Sequence, residues 1–176
     1  MDTTHSRIFQ LPEEKPNTKQ TPANPPRIRK AADAWSSVDK TQLCPIFQLQ
    51  VLQTNDVQNP LLKEMKKQIT NKIHSYRSQD IKKKLLQPDN LVDTPFVLNL
   101  LIQTQLECFY CKEQTLVLYD EVRAAKQWTL DRMDNSRGHN KDNVEIACLS
   151  CNLRRRTMYH ERYVFTKQLS IVKLLD

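Results

Sequence analysis

Residues 128–152 read Trp128-Thr-Leu-Asp131-Arg132-Met-Asp134-Asn-Ser-Arg-Gly138-His139-Asn-Lys-Asp-Asn143-Val-Glu-Ile-Ala-Cys148-Leu-Ser-Cys151-Asn152. The apolar and β-branched run 127–130 predicts a strand that ends in Asp131-Arg132. A polar loop follows, holding the only glycine of the chain, Gly138. Residues 143–147 predict a second strand of this unit, and 149–156 a helix. The Cys-x-x-Cys that opens the helix has a match upstream in Cys108-Phe-Tyr-Cys111. Each such pair puts two thiolates on a tight turn, able to grip one side of a tetrahedral ion. Two pairs close a four-thiolate Zn²⁺ site with no open position, so the zinc is structural rather than catalytic. Chance pairing and redox dithiols are the competing readings. Four of the five cysteines fall into matched pairs, which favours zinc. Cys44 is left over, a small buried or idle thiol.

If the helix starts near Leu149, Asn152 projects from its first turn toward the end of the first strand. The Asp131 carboxylate and the Asn152 amide oxygen there suit a hard divalent cation, Mg²⁺ or Mn²⁺, with positions left for phosphate and water. The structural reading of the same pair is a strand-ending aspartate and a helix-start asparagine.

At residues 108–156 the chain resembles the HNH, or His-Me finger, endonucleases, above all the zinc-braced branch typified by recombination endonuclease VII. The resemblance implies a small ββα-metal module in which Asp131 and Asn152 hold the catalytic metal. It also implies that Asn143 braces the loop through backbone hydrogen bonds, and that Cys108, Cys111, Cys148 and Cys151 bind structural zinc. One position departs from the family. Arg132 stands where most members carry the general-base histidine. A guanidinium is always protonated and takes no proton from water, although it can clamp a phosphate or stabilise developing charge. His139 is the first candidate for the missing base, His160 a distant second, and a metal-bound hydroxide without any protein base the third option. Asp134 is either an auxiliary carboxylate or a turn residue.

Outward from this unit, the expected fold is α+β and mainly helical. Residues 1–34, with five of the nine prolines and few apolar side chains, predict a disordered tail with a short basic cluster at Arg27, Arg29 and Lys30. Residues 35–105 predict a helical region. Within it Leu62, Met65, Ile69, Ile73 and Tyr76 share one helix face. The opposite face carries Lys63, Lys66, Lys67, Lys72 and Arg77, which is either a solvated face or a phosphate-tracking surface. Pro88 is expected to end this region, Thr94 to cap a short apolar helix over 96–105, and 115–119 to form a strand. Residues 106–158 then make up the zinc-braced module, and 159–176 a closing helix. Arg154, Arg155 and Arg156 point about 100° apart on their helix, so one or two can reach phosphates.

The formal charge of +7 and pI near 9.2 favour a polyanionic partner. No stretch is apolar and long enough for a membrane span, and no secretory leader is evident, so reduced thiols and a cytoplasmic or nuclear location are expected. The overall pattern is similar to proteins of large DNA viruses and phages. Together these features predict a metal-dependent DNA endonuclease acting on duplex or branched DNA. Cutting both strands with one active site per chain favours a homodimer. The alternative is a zinc-containing nucleic-acid-binding or assembly protein with a degenerate, non-cleaving HNH fold.

Overall fold

Strands β1 (Trp128–Arg132) and β2 (Val144–Cys148) pair antiparallel, with Trp128 opposite Cys148, Leu130 opposite Ile146 and Arg132 opposite Val144. Helix α4 (Leu149–Arg155) follows β2 without a linker, its N-cap being Cys148. This strand–loop–strand–helix order comes from a computed structural model, which describes residues 25–40 and 43–168. Among the described residues the protein is α+β, and five α-helices outweigh the single two-stranded sheet.

The pleat sends alternate residues of β1 to opposite sides. Trp128 and Leu130, with Ile146 of β2, enter the main core. Thr129 turns to the side that α4 covers, where its hydroxyl accepts a bond from Asn152. Upstream lie α1 (Pro45–Thr54), α2 (Pro60–Lys83) and α3 (Thr94–Gln103). In α2 the stripe Leu62, Met65, Ile69 and Ile73 is buried as its spacing predicts. The same hydrophobic cluster takes in Leu101 of α3 together with Trp128 and Ile146, so helices and hairpin share one core. Each fully buried side chain of this size contributes about 1.5–3 kcal/mol by transfer from water. A smaller cluster of Cys108, Tyr110, Ala147, Cys148, Cys151 and Tyr163 sits on the other side of the hairpin. Tyr163 belongs to α5 (His160–Gln168), the described part of the expected closing helix; residues 169–176 lie outside the described residues.

Several expectations are corrected. The predicted tail 1–34 is not wholly without structure: residues 1–24 lie outside the described residues, but Lys30–Trp35 forms a 3-10 helix with Trp35 fully buried. Trp35 Nε1 donates to Asp120 at 2.9 Å, and the Arg29 guanidinium lies 4.2 Å from the centre of the Tyr119 ring. Partners so far along the chain leave no local mark in the sequence. Helix α2 stops at Lys83, before Pro88, because Lys84 turns left-handed at φ 58° and the Leu85 amide returns to the Asp80 carbonyl. The cap of α3 is Asp93, one residue earlier than expected, its carboxylate accepting from the Phe96 amide at 2.8 Å.

Residues 115–119 form no strand, only an isolated bridge from Leu116 to Gln127. The buried Gln48 of α1 takes over the ladder's role there. Its Oε1 accepts from the Val117 and Leu118 amides at 2.9 Å each, and its Nε2 donates to the Leu118 carbonyl at 3.0 Å. Lys72 does not lie on a solvated face. Its ammonium donates to the Trp128 carbonyl, lies over the Tyr119 and Trp128 rings, and is brought down to about 7 by burial and by Arg29.

Candidate metal centre and adjoining cleft

The two Cys-x-x-Cys turns meet. The Sγ atoms of Cys108, Cys111, Cys148 and Cys151 all lie within 4.8 Å of one another, and Cys111 to Cys148 is 3.9 Å. Four thiolates at about 2.3 Å around a tetrahedral Zn²⁺ stand roughly 3.8 Å apart, so the donor set fits zinc. All four cysteines are free, and all but Cys111 are buried. The Cys151 amide points at Cys148 Sγ at 3.4 Å, a backbone dipole that favours a thiolate there. The hydrogen bond with Cys148, then backbone amides, hold Cys108 well below the usual thiol range against the effect of burial, while Cys148 is pushed up. These are groups competing for one proton, and a cation among them removes the competition.

Beside the loop end of the hairpin lies a cleft of about 220 Å³. Strand β1 supplies Leu130, Asp131 and Arg132 to it, and the following loop supplies Asn135 and His139. Tyr76, Gln79 and Lys83 come from α2, Asn152 from α4, and Arg156 from just beyond it. Of the residues predicted as catalytic, Asp131, Arg132, His139 and Asn152 all line this one cleft.

Each is held differently. Asp131 is buried, and its Oδ2 accepts from Tyr110 Oη at 2.5 Å and from Arg155 Nε at 2.6 Å. Its Oδ1 has one partner, Arg155 Nη2 at 3.2 Å. Asn152 donates through Nδ2 to Thr129 Oγ1 at 3.0 Å and to the Leu130 carbonyl at 3.4 Å, while its amide oxygen accepts from neither. Both Asp131 oxygens therefore face the Arg155 guanidinium, while the Asn152 side chain lines the same cleft. Arg132 spends Nη1 on the carbonyls of Asn135 and Arg137, at 3.3 and 2.9 Å, which ties down the loop.

Asn143 fills the bracing role expected of it. Its Oδ1 accepts from the Asp134 amide at 2.9 Å, and its Nδ2 donates to the Asp134 and Gly138 carbonyls at 3.0 Å each. Asp134 itself is a turn residue, accepting from the Ser136 amide and hydroxyl at 2.8 and 2.7 Å.

His139 is buried, not an exposed loop histidine. Its ring stacks on Tyr76 with centroids 4.5 Å apart, and its Nδ1 lies 2.8 Å from Asp80 Oδ1. Burial holds its pKa below the usual 6.5; the bond and charge of Asp80 oppose this, and Arg132 and Lys83 add to it. At neutral pH the ring is therefore uncharged, as a proton acceptor must be.

Two expectations, those for Arg155 and His160, fail on position. Arg155 is not a phosphate contact: it is 1% exposed and spends its guanidinium on Asp131, Asn135 and the carbonyls of Arg132 and Met158. Arg154 on the helix and Arg156 at its C-cap are exposed. His160 is not at the cleft. It lies on the side of the cysteine cluster, with Nδ1 3.2 Å from Tyr110 Oη. Lys66 and Lys67 sit nearer the other end of α2, engaged with Asn55 at 3.0 Å and Glu64 at 3.5 Å.

Sequence reading missed Asp80 and Tyr110. Asp80 had a signal: it extends the apolar stripe Ile73, Tyr76 by one more four-residue step, so a carboxylate was placed on a buried face. Tyr110 had none beyond its place inside a Cys-x-x-Cys turn. Compared with protein-family models, curated proteins and solved structures, the chain has no significant match. No helix among the described residues is long and apolar enough to cross a membrane.

Proposed function

We propose that this chain is a metal-dependent DNA endonuclease of the HNH, ββα-metal kind, hydrolysing phosphodiester bonds in the cleft between β1, α2 and α4. The observation that carries the reading is the convergence of Asp131, His139 and Asn152 in one cleft whose rim bears Lys83, Arg132 and Arg156. Asp131 and Asn152 would hold a Mg²⁺ or Mn²⁺ ion, which supplies Lewis-acid stabilisation of the phosphate charge. The protein's own groups do the rest. Arg155 and Tyr110 fix the carboxylate, as orienting partners fix metal ligands elsewhere. His139, uncharged at neutral pH, takes the proton of the attacking water. The cationic rim draws the phosphodiester in and offsets the charge that develops on it. The zinc site would act as a brace, fixing the β1 end that bears Asp131 against the start of α4 that bears Asn152.

Zinc-loaded protein is expected to nick supercoiled or branched DNA with Mg²⁺ or Mn²⁺, and to stop doing so in Asp131→Ala and Asn152→Ala. A second reading is favoured by two observations: Arg132 occupies the place of the family's usual base, and Asp131 already carries a guanidinium. Under it the protein binds nucleic acid, or docks in an assembly, without cutting. DNA binding that survives in both variants with no cleavage by the wild type would decide for it.

A further inference from the structure

Asp80 lies outside the hairpin–helix unit, in the last turn of α2, and is fully buried. Burying a carboxylate is costly unless its oxygens are hydrogen-bonded. Both its oxygens bond to one residue: Oδ2 accepts from the His139 amide at 2.7 Å, and Oδ1 lies 2.8 Å from His139 Nδ1. A carboxylate only accepts, so the pair places the imidazole proton on Nδ1 and leaves the Nε2 lone pair free.

Two other contacts serve the same orientation. Tyr76, four residues before Asp80, stacks on the imidazole at an interplanar angle of 24°, and its hydroxyl accepts from the Leu130 amide of β1 at 3.0 Å. Gly138 brings the loop onto the end of α2, where an added Cβ would lie 2.6 Å from the Leu85 carbonyl and 3.0 Å from Asp80 Oδ2. The loop backbone is already braced by Asn143, so bracing alone does not call for a buried charge on the ring.

We propose that Asp80 is the positioning residue of this site, holding His139 as its Nδ1–H tautomer so that Nε2 faces the cleft and receives the proton of the attacking water. The inference rests on the endonuclease reading. In the step, the water oxygen bonds to phosphorus as its proton passes to Nε2. The P–O ester bond breaks, and the leaving oxygen is protonated by solvent. The imidazolium then returns its proton to water. On this account α2 is part of the site, because the zinc-braced unit contains no replacement for Asp80 among the described contacts of His139.

The test uses the full zinc-loaded chain. Histidine ¹⁵N spectra, assigned with His139→Ala, are expected to show a protonated Nδ1 and a bare Nε2. In Asp80→Asn a single amide oxygen meets two N–H donors, and its NH₂ faces Nδ1, so the tautomer is expected to invert. Cleavage should then fall about 10²-fold or more in kcat at unchanged KM, and no further than in His139→Ala, the scale of a general base. A folded Asp80→Asn variant that cuts at the wild-type rate would overturn the proposal. Should that variant fail to fold, the wild-type spectrum decides, and a protonated Nε2 there overturns it equally. Wild type with a bare Nε2 that cuts no DNA would overturn the endonuclease reading and leave the orienting role of Asp80 standing.

Discussion

Two adjacent arginines that look alike in the sequence have opposite fates. Arg155 is sealed inside, its guanidinium bonded to both oxygens of Asp131, whereas Arg156 is exposed at the cleft rim. Removing one partner of a buried ion pair leaves the other charge stranded, so Arg155→Ala should cost about 3–5 kcal/mol in chemical denaturation. Arg156→Ala should leave stability within about 0.5 kcal/mol. It should weaken DNA binding uniformly across sequences and lower the salt slope of log K by about 1, the mark of one lost phosphate contact. His139 adds a pH prediction. Its folded pKa lies below 6.5, so the neutral, proton-accepting form prevails at pH 7 and is lost only as pH falls through that lower value. The His139-dependent fall in cleavage rate should therefore have its midpoint below pH 6.5, measured as a pH–rate profile.

Among the elements, the hairpin and α4 were legible because their signals are local: alternation along each strand, a lone glycine, and a cysteine pair at the helix start. The same is true of α2, whose apolar stripe is buried as read. Where reading failed, the cause was a distant partner. Gln48 replaces the strand that should have paired with 115–119, and Asp120 and Tyr119 give the 3-10 helix at Lys30–Trp35 its anchor. Neither arrangement has a periodicity to detect. Two predictions belong to this scale. Gly138→Ala forces a methyl against the Leu85 carbonyl, and the overpacking should destabilise by about 1–3 kcal/mol, read in denaturant titrations. Cys148→Ser removes one of the four clustered thiolates but keeps an N-cap for α4, since a serine hydroxyl can accept from the Cys151 amide in its place. Since structural zinc supplies on the order of 10 kcal/mol in small modules, it should lose the metal and the ordered hairpin, checked by elemental analysis and amide exchange. A folded Cys148→Ser protein with no metal in the parent would refute the zinc assignment.

For the whole molecule, the helical half and the half that carries the four cysteines share one core, and the cleft lies where they join. That is why the candidate site was only partly readable. Asp131, Arg132, His139 and Asn152 fall in one contiguous stretch that carries its own pattern, while Tyr76, Asp80 and Lys83 reach the cleft through tertiary packing. The basic charge is also unevenly useful. Lys83 and Arg156 edge the cleft, but Lys67 lies roughly 24 Å back along the axis of α2, so any phosphate it meets is well removed from the bond to be cut. The proposed function stands or falls on whether the cleft cuts DNA with His139 as its base. The direct measurement is the rate of Mg²⁺-dependent nicking of supercoiled DNA by the zinc-loaded chain and by His139→Ala. The account predicts nicking by the parent and a loss of at least about 10²-fold in the variant, the scale of a general base. Equal rates in the two proteins, or DNA bound but left intact by both, would contradict it.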